Sequence, residues 1–126
     1  MVAALLVPLV GRFSGRLARG LTVAAPAVAL VCAVQALRVA LASGPWHYAL
    51  GGWAPPWGIE YVVDPLGGGM AVLVALLGML VAIYAGAHLR ALSRRRAAVS
   101  DSLFLLLTSG LLGITLTGDL FNLYVF

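Results

Sequence analysis

Arg38, Asp64 and Asp119 are the side chains with the most chemistry to offer, because each lies in or beside a long apolar run. An ionisable group at membrane depth marks an ion or proton path, or a buried ion pair, by default. Each also has a structural reading. Asp64 precedes Pro65, and Asp at an N-cap with Pro at the first helical position is a favoured way to start a helix. Gly118-Asp119 reads as the C-cap of one helix followed by the N-cap of the next. Asp101, with Ser102, offers the same capping chemistry ahead of another apolar run. Arg38, near the far end of its run, either snorkels its guanidinium to the interface or pairs with a buried acid. Arg38, Asp64 and Asp119 are thus ion-pathway candidates, and Asp64, Asp101 and Asp119 are expected helix caps.

The remaining polar residues do not assemble an active site. There is no nucleophile with a base at a recognised spacing and no nucleotide loop. Gly67-Gly68-Gly69 lacks the Lys and Ser/Thr that a phosphate-cradling loop needs in register. His88 has no second His, Cys or carboxylate at metal-ligand spacing. Glu60 alternates with Val62 in a β-compatible run and reads as a solvated strand residue. No metal and no cofactor is implied, and an enzyme confined to this chain is not expected.

The elements that must hold these groups are membrane helices. Hydrophobic residues make up 63% of the sequence and charged residues 10%, with a mean hydropathy of +1.07; an average soluble domain is about 25% charged. The net charge is +4 and every basic residue is arginine. These arginines cluster between apolar runs, as loop charges do, which excludes nucleic acid as a partner. The lone Cys32 gives no disulfide framework.

Read in order, the chain predicts an all-α membrane protein with about four spanning segments and the start of a fifth. Segment 1–13 is short for a crossing that takes about 17 to 25 residues; either it is partial or re-entrant, or the true start lies upstream of Met1, the preferred reading. Residues 11–20 read as an arginine-bearing connector in which the Gly11-x-x-x-Gly15 spacing is accidental. Segment 21–41 is a full span with Pro26 about one turn in. The stretch 42–63 has no Lys or Arg but carries Trp46, Trp53, Trp57 and Tyr61, the aromatic residues of a membrane surface. Its runs 47–50 and 59–63 flank a Gly/Pro-rich reversal, predicting a small hairpin. Segment 66–87 carries Gly67, Gly68, Gly69, Gly78 and Gly86 for close packing in lipid. Residues 88–101 form a second arginine loop, 103–117 the next helix, and 119–126 an incomplete one.

Seven of the eight arginines fall in 11–20 and 88–101, and none in 42–63. The positive-inside rule then places both arginine loops in the cytoplasm, with the hairpin, the Gly118-Asp119 corner and the N-terminus outside.

Three stretches together resemble a known family. Thr117-Gly118-Asp119-Leu120-Phe121-Asn122-Leu123-Tyr124-Val125-Phe126 is similar to the signature of the D subunit of Mrp-type monovalent cation/proton antiporters. That protein is kin to the antiporter-like proton-pumping subunits of respiratory complex I (NADH:quinone oxidoreductase) and of membrane-bound hydrogenases. Gly51 to Glu60 followed by Asp64-Pro65-Leu66, and Ser102 to Leu107 with Gly110, agree in order and spacing. The resemblance implies the N-terminal scaffold of such a subunit in a bacterial or archaeal cytoplasmic membrane. Expected partners are the lipid bilayer, other subunits of an antiporter or redox complex, protons, and Na+ or K+. The family's transport residues, a fifth-helix glutamate and later lysines and a histidine, fall past Phe126, so no activity of this stretch alone is expected. The alternative is a small helical membrane protein that serves a complex as a structural or assembly partner.

Overall fold

A computed structural model describes residues 1–49, 52, 60–88, 93–118 and 124. Four helices and a small sheet follow in chain order: α1 (Val2–Phe13), α2 (Gly15–Ser43), β1 (Trp46–Ala49), β2 (Glu60–Val63), α3 (Pro65–His88) and α4 (Arg94–Leu116). α2, α3 and α4 are each long and apolar enough to cross a membrane, whereas α1 has 12 residues. The chain is therefore a multi-pass helical membrane protein.

The described parts of the arginine stretches are largely helix, in α1, α2 and the start of α4, rather than loop. Between α1 and α2 only Ser14 leaves helical geometry, at φ −148° and ψ 114°, and its hydroxyl accepts from the Leu17 amide at 3.5 Å. Arg, Leu and Ala are good helix formers, so polarity alone does not end a helix there. The 29 residues of α2 extend over about 43 Å at about 1.5 Å per residue, against a hydrocarbon core of about 30 Å. The helix is longer than the core is thick, and its arginine-bearing Arg16–Arg19 turn is the end suited to the headgroup zone. Pro26 consequently lies in the interior of α2, leaving the Thr22 carbonyl without its intrahelical donor.

The helices pack through small residues. In α3 the buried row is Gly68, Ala71, Ala75, Gly78 and Ala82, while Leu66, Leu73, Leu77, Leu80 and Tyr84 face outward. A methyl at Gly68 would lie 3.3 Å from the backbone of Leu37, and one at Gly78 would lie 3.0 Å from Thr108 Cγ2. In lipid, where apolar burial gives no driving force, such close backbone approach is what holds helices together. Gly69 meets nothing within 4 Å, so the expected packing role holds for its neighbours and not for it. Gly11 is in close contact with Ala98 while Gly15 touches nothing; the GxxxG spacing does not act as a pair, but its first glycine seats α1 on α4.

Antiparallel β1 and β2 pair Trp46 with Val63 and Ala49 with Glu60, realising the hairpin expected from the sequence. Leu50, Ile59 and the Trp53–Trp57 reversal lie outside the described residues. The end of α4 joins this sheet: Tyr61 bridges to Thr117, and the Gly118 amide donates to the Glu60 carbonyl at 3.0 Å.

Candidate functional site

Three helices meet around one ion pair. Arg19, in the second turn of α2, donates from Nη1 to Asp101 Oδ1 of α4 at 2.8 Å, and from Nη2 to the Ala82 carbonyl of α3. Asp101 keeps 8% of its side chain exposed and Arg19 25%. The Cβ-less Gly86 makes room for the guanidinium, since a methyl there would stand 2.7 Å from Arg19 Nη2. A charge-assisted pair that also satisfies a backbone carbonyl offsets the cost of holding both charges in a low-dielectric bundle and is costly to break from one side.

Asp101 therefore differs from its expected role. The helix begins seven residues earlier, with Ser93 at the N-cap, so Asp101 has no free amides to cap. It lies instead on the buried face of α4, in line with Ala98, Leu105 and Thr108, where a carboxylate needs a counter-charge. Arg19, in the arginine-bearing stretch expected to be a connector, supplies it. The signal was present in the spacing: positions 98, 101, 105 and 108 follow one helical face, and the acid among them called for a partner.

Next to this pair, Ser102 Oγ donates to the Ala4 carbonyl at 2.6 Å. That carbonyl has lost its intrahelical donor because Pro8, four residues on, carries no N–H. The hydroxyl of α4 thus repairs a gap in α1. Leu105, Ala98, Ala18, Ala4 and Val7 form the buried apolar cluster around it.

The other expected site residues are dispersed. Asp64 stands at the opposite end of the bundle, beside the sheet, where its Oδ1 accepts the Gly67 amide at 2.6 Å and its carbonyl accepts from Gly68 at 2.8 Å. These are N-cap bonds at the start of α3. Arg38 lies on α2 and has no ion-pair partner among the described residues. Asp119 and segment 119–126 lie outside the described residues apart from Tyr124, as does Arg90. Glu60 pairs with His47 Nδ1 at 2.8 Å across the sheet. Among the described residues no group of three His, Cys, Asp or Glu side chains converges as metal ligands do.

Chemically the arrangement is a structural tie, not a reaction centre. Arg19 and Asp101 bind one another, and three helices close on them. What the fold and the ion pair define is a helical membrane protein.

No family model matches the chain. It is 48% identical over 127 residues to the N subunit of the NADH-quinone oxidoreductase of Desulforudis audaxviator (strain MP104C), over 100% of this chain and 25% of that protein. It is 34% identical over 110 residues to the D subunit of the Na(+)/H(+) antiporter of Bacillus subtilis (strain 168), over 87% of this chain and 22% of the relative. The D subunit of a probable K(+)/H(+) antiporter of Rhizobium meliloti (strain 1021) is 35% identical over 99% of this chain and 23% of its own length. A chain in the structure of the membrane-bound sulfane sulfur reductase, an archaeal respiratory membrane complex, superposes with a TM-score of 0.85 at 27% identity. That superposition covers 98% of this chain and 25% of the other. Along its length the chain matches a fragment of the antiporter D subunits and of the N subunit of NADH-quinone oxidoreductase. It spans about a quarter of the length of these relatives.

Proposed function

We propose that this chain is the N-terminal scaffold of a proton-conducting or monovalent cation:proton antiporter membrane subunit working inside a multisubunit complex. The observation that supports it is the alignment of relatives named for both kinds of assembly along nearly all of the chain. In this reading the chain contributes transport architecture and no redox catalysis. Protons, with Na+ or K+, are the ions moved by the complete assembly. The Arg19–Asp101 tie fixes the first helices as a rigid block against which ion-carrying helices pack. Asp64 starts α3 as a cap, and Asp64, Arg38 and Asp119 remain the ion-path candidates of the scaffold. The end bearing Arg12, Arg16, Arg19 and Arg96 faces the cytoplasm and the sheet faces outside, as positive charge on short connections favours.

The test is a chimera in which this chain replaces the matching stretch of the D subunit of the Bacillus subtilis antiporter. Retained Na+ tolerance at normal expression is expected, and an inactive chimera that is inserted and assembled would overturn the scaffold reading. Proteoliposomes carrying the chain alone should show no proton uptake. Asp119→Asn in the chimera separates roles: a cap tolerates the amide, whereas a proton carrier loses transport at unchanged expression.

A further inference from the structure

We propose that the groove between α1 and α4 binds the headgroup of an anionic phospholipid. The groove holds about 640 Å³. Arg12 and Arg95 supply its charge, Pro8, Leu9 and Val99 its apolar lining. Gly11 and Ala98, buried against one another, close its floor.

Charge comes first. Arg12 and Arg95 are both exposed, and neither has an ion-pair partner among the described residues. The described acids are engaged elsewhere: Asp101 with Arg19, Glu60 with His47, and Asp64 with the Gly67 amide. Ser93 at the N-cap of α4 makes no side-chain capping bond, so the first-turn amides and the helix dipole add positive potential beside Arg95. Two guanidinium forks facing one groove suit the tetrahedral oxygens of a phosphate, which they bind bidentately.

Position and shape select the source of that phosphate. Arg12 lies in the last turn of α1 and Arg95 in the first turn of α4. Both therefore stand at the arginine-bearing bundle end suited to the headgroup zone, where lipid phosphates lie. Basic pockets between spanning helices at this depth are suited to acidic headgroups. The apolar wall from Pro8, Leu9 and Val99 matches the glycerol and first acyl carbons below a headgroup. A free phosphate gains nothing from such a wall. The inference needs only that the helices cross a membrane, and stands apart from any transport role.

Native mass spectrometry of the full chain in detergent, titrated with phosphatidylglycerol, phosphatidylcholine or inorganic phosphate, tests it. One phosphatidylglycerol should be retained in preference to phosphatidylcholine, and millimolar inorganic phosphate should not displace it. Arg12→Gln with Arg95→Gln should lower that retention roughly tenfold or more. Arg16→Gln with Arg96→Gln, an equal charge change outside the groove, should leave it unchanged. Val99→Trp, which fills the groove with both charges kept, should also lower it. Helicity by circular dichroism identifies any variant that misfolds, and Arg12→Lys with Arg95→Lys should then recover part of the binding. Equal retention of the two lipids, equal loss in the control pair, full binding by Val99→Trp, or displacement by inorganic phosphate would each overturn the proposal.

Discussion

Removing one member of a buried ion pair is costly in a way that removing both is not, and Arg19–Asp101 is placed to show it. Asp101→Ala leaves a guanidinium committed to the bundle with only the Ala82 carbonyl as partner. Breaking a buried pair costs about 3 to 5 kcal/mol, and the lower end applies because Arg19 keeps 25% of its side chain exposed. Thermal unfolding in mild detergent should show a large drop for Asp101→Ala. Arg19→Leu with Asp101→Leu should recover most of it, since two apolar groups of similar size restore packing without a stranded charge. If the single and double variants fall equally, the pair carries no coupling. Glycine at neighbouring positions gives a second residue-scale contrast. A methyl at Gly67 would lie 2.7 Å from both the Thr115 carbonyl and Asp64 Oδ1, whereas one at Gly69 meets nothing within 4 Å. Gly67→Ala should therefore destabilise the start of α3. Gly69→Ala should be neutral or stabilising by up to about 1 kcal/mol, the helix-propensity gain, in the same melting assay.

At the scale of elements, α1 is the helix that depends most on a neighbour. Pro8 removes the donor for the Ala4 carbonyl, and Ser102 of α4 replaces it at 2.6 Å. An unsatisfied buried carbonyl costs about 1 to 3 kcal/mol, so Ser102→Ala should destabilise by that order. Pro8→Ala gives back an intrahelical donor, and in that background the Ser102→Ala loss should shrink. A double-mutant cycle reads the coupling directly, and additive effects would show that the repair is not made. This contact was not legible in the sequence, because it joins residues 98 positions apart and needs the packing of α1 on α4. The spans around 21–41 and 66–87 were legible as apolar runs of membrane length, and 103–117 as a shorter apolar run. So was the sheet, from β-compatible runs flanking a Gly/Pro reversal. What the sequence obscured was the reach of α2 and α4 into the arginine stretches. Charged residues there resemble loop when polarity is weighed, yet Arg and Ala continue a helix past the hydrocarbon edge without penalty. That one misjudgement also hid the site, since Asp101 reads as a cap only if α4 starts after it.

The whole molecule is polarised end to end. Arg12, Arg16, Arg19, Arg95 and Arg96 gather where α1 ends and α2 and α4 begin, while Glu60, Asp64 and the sheet gather where α3 begins and α4 finishes. Its lateral surface is covered by large apolar side chains and its interior by alanine and glycine, an arrangement suited to lipid and to neighbouring helices. The polarity governs how such a body enters a membrane, because basic residues on short connections are retained on the cytoplasmic side. In a Cys32→Ser background, Trp46→Cys at the sheet and Arg96→Cys at the start of α4 report the two ends. A membrane-impermeant maleimide applied to intact cells should label position 46 and not position 96, and permeabilisation should expose position 96. Labelling of 96 from outside, with 46 protected, would invert the molecule. Moving arginines supplies a second check: with Arg12, Arg16 and Arg96 each replaced by Gln, the charge difference between the ends falls, and a mixed labelling pattern should appear. If labelling stays single-sided in that variant, these three charges are not what sets the orientation.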